Sequence, residues 1–290
     1  MKPRAAAVLV CISVVLLLSS CSLPTPQTSH EPFLAILGAF EKEIILLQDK
    51  LSQRQEKEIE GIKFVSGELN GQKVVIAWTG IGKVNAAMTT TLAIEHFKPD
   101  KVIFTGIAGG VNPKLEPGDI VIAEKTAQHD SGILWPEGFM HQGVKNPFDG
   151  TDNPVFFYAD ERLLKFAQLA AKHVKLEKIQ TKTAEKSPQI VTGVVVTGDT
   201  FVASNDKCIE LRDKLDADAV EMEGAAVAQI CYQRRIGYLV IRCISDKADE
   251  SAVRDKQMFY LMAAENSAEL VAEMVGLLAT EPSTEKNFSN

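Results

Sequence analysis

Ala219-Val220-Glu221-Met222-Glu223-Gly224-Ala225 reads as a short apolar strand that runs straight into a helix. The next strand along the chain is Tyr238-Leu239-Val240-Ile241-Arg242-Cys243-Ile244-Ser245-Asp246. Each segment delivers acidic residues at the carboxyl end of an apolar, β-branched run. In an open α/β sheet that end is where ligands bind. The pattern places Glu223 and Asp246 at one rim on neighbouring strands, and two carboxylates at one cleft are equipment for acid/base chemistry.

The rest of the chain extends the same alternation. Phe33–Gly38 reads as a strand and Glu41–Leu51 as a helix. Phe64–Leu69 and Val74–Trp78 flank Asn70-Gly71, a hairpin signal, because both residues tolerate positive φ. A glycine turn at Gly80-Ile81-Gly82 opens a helix over Val84–Phe97, and Pro99-Asp100 stops it. Lys101–Gly106 is a strand with Ala108-Gly109-Gly110 at its carboxyl end, and Ile120–Ala123 is another. Asp130–Tyr158, rich in breakers and unpatterned aromatics, reads as a long loop excursion. Glu161–Val174 is helical, Ile190–Thr197 is a strand, and Glu250–Ala279 is mostly helical. Strands alternating with helices predict an α/β fold: three layers, α/β/α, with a central mixed, largely parallel sheet.

At 290 residues, 46% hydrophobic and 24% charged, the chain can bury a sizeable core. The net charge of −7 and the lack of a basic stripe argue against a nucleic-acid partner. The first residues have the order of an export signal. Met1-Lys2-Pro3-Arg4 is basic, Ala5–Leu18 is a short apolar run, and Leu18-Ser19-Ser20-Cys21 resembles a lipobox. The expected organisation is a lipoprotein signal peptide over 1–20, a Pro/Thr/Ser-rich tether over 21–32 with lipid on Cys21, a domain over 33–279 and a polar tail over 280–290. The mature chain would then be exported and held to a membrane by its lipid, with Ser22 pointing to an outer membrane where one exists. The other reading of the same residues is an ordinary secretory signal. Cys208, Cys231 and Cys243 fall in apolar or helical segments and read as buried thiols, not a disulfide framework.

Several residues admit both a chemical and a structural reading. Gly80-Ile81-Gly82-Lys83 lacks the third glycine of a dinucleotide fingerprint and the spacing of a Walker A loop, so it is either an anion-facing turn or a tight structural one. Gly106-Ile107-Ala108-Gly109-Gly110 suggests backbone in close approach to a ligand. Glu43 reads most simply as helix-dipole compensation. Glu221 and Glu223 fit either a rim site or a helix N-terminus, and Asp246 either a site or a cap. Phe201, after Gly198-Asp199-Thr200, is core or a surface for stacking on a flat heterocycle. The five histidines are dispersed, which gives no metal-ligand spacing, and no Gly-x-Ser-x-Gly elbow is present.

Taken together and in order, seven stretches resemble the nucleoside phosphorylase/hydrolase superfamily, and within it the bacterial 5'-methylthioadenosine/S-adenosylhomocysteine nucleosidases. They are Leu37–Glu43, Thr79–Lys83, Thr105–Gly110, Pro117–Val121, Thr197–Val202, Val220–Glu223 and Arg242–Asp246. The resemblance covers Phe33 to about Ala279. It implies one three-layer domain, a homodimer, and hydrolysis of the N-glycosidic bond of adenine thionucleosides with no metal and no cofactor. By resemblance Asp246 protonates the purine at N7 and Ser245 orients it. Glu43 activates water, Glu223 binds the ribose hydroxyls, and Met222 lies beneath the sugar. Phe201 stacks on the base and Val202 presents main-chain polar atoms to its edge. Ile81, Ala108 and Gly109 border the substrate, and Arg242 stands behind the acidic groups. Such chemistry suits an oxocarbenium-like transition state, which needs an acid on the leaving group and a carboxylate near the cation.

The superfamily's phosphorylases hold phosphate with arginines near the first glycine turn and before the Gly-Gly loop. This chain has Glu41, Glu43, Phe104 and Thr105 in those regions, and carboxylates repel phosphate. Water is the expected acceptor, with a phosphorylase or a non-catalytic surface nucleoside-binding protein as the alternatives. Two positions depart from the family pattern. Ile107 replaces a serine, and 252–258 carries no aromatic for the 5'-alkylthio pocket, although Phe259 and Tyr260 follow.

Overall fold

The computed structural model describes residues 33–180 and 185–280. The expected signal peptide, the tether with Cys21, and the tail beyond Thr280 lie outside the described residues. The chain opens with β1 (Phe33–Gly38) and α1 (Glu41–Asp49), then a ribbon of β2 (Ser52–Ile59), β3 (Ile62–Leu69) and β4 (Gln72–Trp78). Next come α2 (Lys83–Phe97), β5 (Lys101–Gly110) and β6 (Ile120–Gln128). A hairpin of β7 (Gly132–Trp135) and β8 (Gly138–His141) precedes β9 (Phe156–Tyr158) and α3 (Glu161–Ala170). A two-residue pair, β10 (Ile179–Gln180) and β11 (Glu185–Lys186), leads to β12 (Ile190–Thr197), α4 (Asn205–Leu215) and β13 (Ala219–Glu221). Helix α5 (Gly224–Gln233), β14 (Gly237–Asp246) and α6 (Ala252–Thr280) complete the fold.

The main sheet runs β13-β12-β6-β14-β5-β1-β4-β3-β2, with β9 added on β6. Pairs β1–β4, β1–β5, β5–β14, β6–β12 and β12–β13 are parallel, and the outer ribbon is antiparallel. The expected mixed, largely parallel sheet is present. The Asn70-Gly71 hairpin is also present, with φ of 50° and 85° at its two turn residues.

Period-two alternation divides the core. Leu34, Ile36, Val74, Ile76, Ile103 and Ile241 face one way and pack against α1, α3 and α6. Ala35, Leu37, Val75, Ala77, Val102 and Val240 face the other way and pack against α2 and α5. Strands buried on both faces read as continuous apolar runs, as these do. The three cysteines named above are free and buried.

Three expectations need correction. Glu223 and Asp246 do not come from neighbouring strands, because β5 lies between them. Gly109 of β5 pairs with Val220 on one side and Asp246 on the other. The Gly-Gly segment is not a loop after the strand, since β5 continues to Gly110. Its antiparallel pairing with β13 closes β5, β14, β6, β12 and β13 into a ring. The segment 130–158 is not structureless, since it folds into the β7–β8 hairpin and the short β9.

Candidate active site

The carboxyl ends of β1, β5, β13 and β14 meet the first turns of α1, α2 and α5. Glu43, in the first turn of α1, is buried. Its Oε2 accepts the Phe40 N–H at 2.9 Å, as a residue serving a helix N-terminus does. Its Oε1 accepts the Ile107 N–H on β5 at 3.2 Å. One oxygen therefore serves the helix and the other is held by the neighbouring strand. The Ile107 main chain supplies this contact, so the loss of a serine side chain there does not release Glu43.

Gly106 permits this approach. Its φ is +152°, and a Cβ there would stand 2.5 Å from Arg242 Nη1 and 2.7 Å from Glu43 Oε1. Only a residue without a side chain lets β5 pass so close to both groups.

Arg242 projects from β14, wholly buried, with its guanidinium carbon 4.3 Å from the Phe104 ring centre. Its Nη2 pairs with Glu221 and stands 3.7 Å from Glu223 Oε2. Glu221 also accepts the N–H groups of Glu223 at 3.1 Å and Gly224 at 2.8 Å, and the hydroxyl of Thr197. The two alternatives left open for this acidic pair are thereby divided. Glu221 is the carboxylate that closes the N-terminus of α5. Glu223 turns away from its own helix and accepts the Gly82 N–H at the start of α2, at 2.9 Å.

Asp246 ends β14. Its Oδ2 accepts the Ser245 hydroxyl at 2.7 Å and its Oδ1 the Ala248 N–H at 2.8 Å. Asp246, Gly109, Phe201, Val202 and Met222 line one narrow recess. The Ser245 hydroxyl also lies 3.4 Å from the Ala108 carbonyl oxygen, which places Ala108 behind the recess. Ile81 sits in the turn that donates to Glu223, but its side chain is 46% exposed and lines neither the recess nor the cleft beside it. Phe201 lines both. The neighbouring cleft encloses about 780 Å³ and has Phe40, Trp78 and Tyr260 as its other aromatic walls.

A further contact fixes the loop that carries Phe201. Asp199 accepts the Lys83 N–H at 2.8 Å and donates its own N–H to Asp130 at 3.0 Å, and Lys83 Nζ pairs with Asp130 at 2.6 Å. Three loops are tied together at the start of α2.

The electrostatics follow from burial. Desolvation raises the pKa of Glu43, against the pull of Arg242 and of the main-chain N–H groups around it. Desolvation also raises Asp246, despite the hydrogen bonds from Ser245 and Ala248. Glu223 is raised by burial and by Glu221, with Arg242 opposing. Burial works against the charge of Arg242, but Glu221, Glu223 and Glu43 outweigh it and hold it above its ordinary value. Burial thus disfavours the ionised form of all three carboxyls, with Glu223 pushed up to about 8, and two of them, Glu43 and Glu223, lie in the field of one fixed cation.

The structure brings Glu43, Glu223, Arg242, Asp246, Ser245, Phe201, Val202, Met222 and Gly109 into one region. Sequence reasoning did not assign Glu221 its part as the main partner of Arg242. The signal was available: in a strand, residues two apart share a face, and a buried arginine on a nearby strand must be paired.

Residues 33–276 match the family model described as the phosphorylase superfamily. The 5'-methylthioadenosine/S-adenosylhomocysteine nucleosidase of Anoxybacillus flavithermus is 38% identical over 246 residues, covering 84% of this chain and 98% of its own length. The Neisseria meningitidis 5'-methylthioadenosine/S-adenosylhomocysteine nucleosidase, solved with methylthio-immucillin-A, superposes with a TM-score of 0.74 at 36% identity, covering 84% of this chain and 99% of its own. The nucleosidase of Colwellia psychrerythraea, solved with adenine, gives 0.74 at 34% identity, covering 86% and 96%. The sheet, the site at its rim and these likenesses agree: the chain belongs to the phosphorylase superfamily and, within it, to the 5'-methylthioadenosine/S-adenosylhomocysteine nucleosidases.

Proposed function

We propose that this protein hydrolyses the N-glycosidic bond of adenine thionucleosides such as 5'-methylthioadenosine and S-adenosylhomocysteine, releasing adenine. The observation that carries the reading is the separation of environments among the buried carboxyls. Asp246 lies in a recess with Phe201 and no guanidinium partner among the described residues, whereas Glu43 and Glu223 share the field of Arg242.

In this reading the adenine ring enters between Phe201 and Met222, with its edge on Val202. Asp246, whose ionisation burial disfavours and which Ser245 orients, gives its proton to the purine N7 as the glycosidic bond breaks. Adenine then leaves as a neutral base. Positive charge develops on the sugar, where Glu43 and Glu223 stabilise it. Glu223 holds the ribose hydroxyls. Glu43 takes a proton from the attacking water, which adds to the anomeric carbon. Arg242 keeps Glu223 and Glu43 in place and does not touch the substrate. Its side chain is wholly buried with Nη2 on Glu221, so it is not presented to a phosphate in the cleft, and the adjacent carboxylates disfavour an anion there.

The test is adenine release by the chain lacking residues Met1–Ser20, measured with and without phosphate. Release independent of phosphate supports the reading. Strict dependence on phosphate would make the protein a phosphorylase, and ligand binding without any release would make it a binding protein.

We also propose a homodimer. Val84 and Met88, four residues apart on α2, and Ile81 in the turn before it are exposed apolar side chains at one end of that helix. Sedimentation at micromolar concentration should give twice the chain mass. The export signal over 1–20, the tether over 21–32 and lipid attachment at Cys21 complete the proposed organisation of the mature, membrane-anchored chain.

A further inference from the structure

The 780 Å³ cleft beside the recess is larger than a methylthio group requires, and its walls are chemically mixed. Phe40 and Tyr260 meet edge to face, with ring centres 5.6 Å apart. Lys256 Nζ lies 5.0 Å from the Phe40 ring centre and 5.2 Å from that of Phe201. Lys42 Nζ lies 5.9 Å from the Tyr260 ring centre. The cleft thus carries two ammonium groups over an aromatic floor. Among the described residues neither ammonium has a carboxylate within ion-pair distance, unlike Lys50, Lys83, Lys101 and Lys247.

Neither charge stands at a helix C-terminus, where the dipole would favour it. Lys42 is in the first turn of α1, where the helix dipole disfavours a cation. Val253, Lys256, Gln257 and Tyr260 follow helical spacing, so one face of α6 turns Lys256 toward the cleft. Phe201 lines both cavities, so a nucleoside with its base against Phe201 sends its 5' end toward Lys256 and Lys42.

We propose that this cleft selects adenine nucleosides whose 5' substituent ends in a carboxylate, with Lys256 and Lys42 as its partners. The inference rests on the nucleosidase reading. The carboxylate could belong to an α-amino acid, with Glu41 at the same rim meeting the ammonium, or to a simple acid; Lys256 and Lys42 serve both.

The experiment compares kcat/KM for 5'-(3-carboxypropylthio)adenosine, 5'-butylthioadenosine, S-adenosylhomocysteine and 5'-methylthioadenosine. The carboxypropyl compound should exceed its neutral butyl counterpart about tenfold, the order expected of charge-assisted hydrogen bonds. The ratio should shrink in 0.5 M salt. In the Lys42→Met/Lys256→Met double variant the ratio should fall to about one, whatever the absolute rates. Lys256→Arg should preserve it. A further gain for S-adenosylhomocysteine over the carboxypropyl compound, removed by Glu41→Gln, would assign the carboxylate to an amino acid, and no gain would assign it to a simple acid. A ratio near one in the unaltered protein, or a ratio unchanged in the double variant, overturns the proposal while leaving the nucleosidase reading intact. Absence of adenine from all four compounds overturns both.

Discussion

A carboxyl group donates a proton near neutral pH only if its surroundings resist its ionisation. Asp246 meets that condition by burial, since the two hydrogen bonds it accepts favour the charged form and are outweighed. Asparagine keeps the shape and removes the proton. Asp246→Asn should lower kcat by about 10²–10⁴-fold, the usual contribution of a general acid, while adenine still binds by calorimetry. Unchanged kcat would remove Asp246 from the mechanism. Glu43 has the opposite task, acting when ionised although burial raises its pKa. Because its folded-state pKa lies above the unfolded value, near 4.3 for an ordinary glutamate, its protonated form stabilises the fold. That contribution is complete below the unfolded pKa and is lost as pH rises through the raised folded one. Glu43→Gln should therefore raise Tm at pH 8 by more than at pH 5, because ionising the buried native carboxyl costs more as pH rises, and should reduce turnover at both. Calorimetric scans at the two pH values decide it. A larger gain at pH 5 would contradict the assigned direction.

Among the elements, β5 matters most to the site, because it reaches Glu43, Arg242, Asp246 and β13 in turn. Gly106→Ala tests that close approach. Overpacking a tight interior costs about 1–3 kcal/mol, so chemical denaturation should show a loss in that range and adenine release should fall by more than tenfold. A fully active variant would mean that β5 can move aside. The same strand shows what the sequence could and could not reveal. Its apolar run was legible, as were β1, β4, β12 and β14, because buried strands are continuous in Val, Ile, Leu and Ala. The antiparallel contact of Gly109 and Gly110 with β13 was not legible, because pairing between distant segments leaves no local pattern, and so Glu223 and Asp246 were placed on adjacent strands. Strand β2, Ser52–Ile59, was invisible for another reason: it is exposed and polar over 52–58, and only its last residue, Ile59, is apolar and buried. Glu43 was legible only by resemblance. Its spacing is that of a helix-terminal acid, and one of its oxygens does that work.

At the scale of the whole molecule, the question is what would hold an acidic domain at a membrane. The net charge of −7 gives anionic lipid headgroups no reason to attract it. No described helix is long and apolar enough to cross a bilayer. In the organisation proposed above, attachment depends on acyl chains at Cys21. Each buried CH₂ contributes about 0.8 kcal/mol, and a single myristoyl-length chain binds only reversibly, so stable anchoring takes at least two chains. Full-length protein made in a bacterium that processes lipoproteins should sediment with membranes at high salt and enter the detergent phase. Cys21→Ser should abolish both behaviours. Cys21 lies outside residues 33–276, the span that matches the superfamily, so the activity of the released domain should be unchanged. Membrane association that survives Cys21→Ser and is reversed by salt would point to an electrostatic attachment. Association that survives both the substitution and high salt would mean that the variant keeps the apolar segment before Cys21; the mass of the unaltered protein then decides, since a chain that retains residues 1–20 and carries no acyl groups on Cys21 would overturn the lipid anchor.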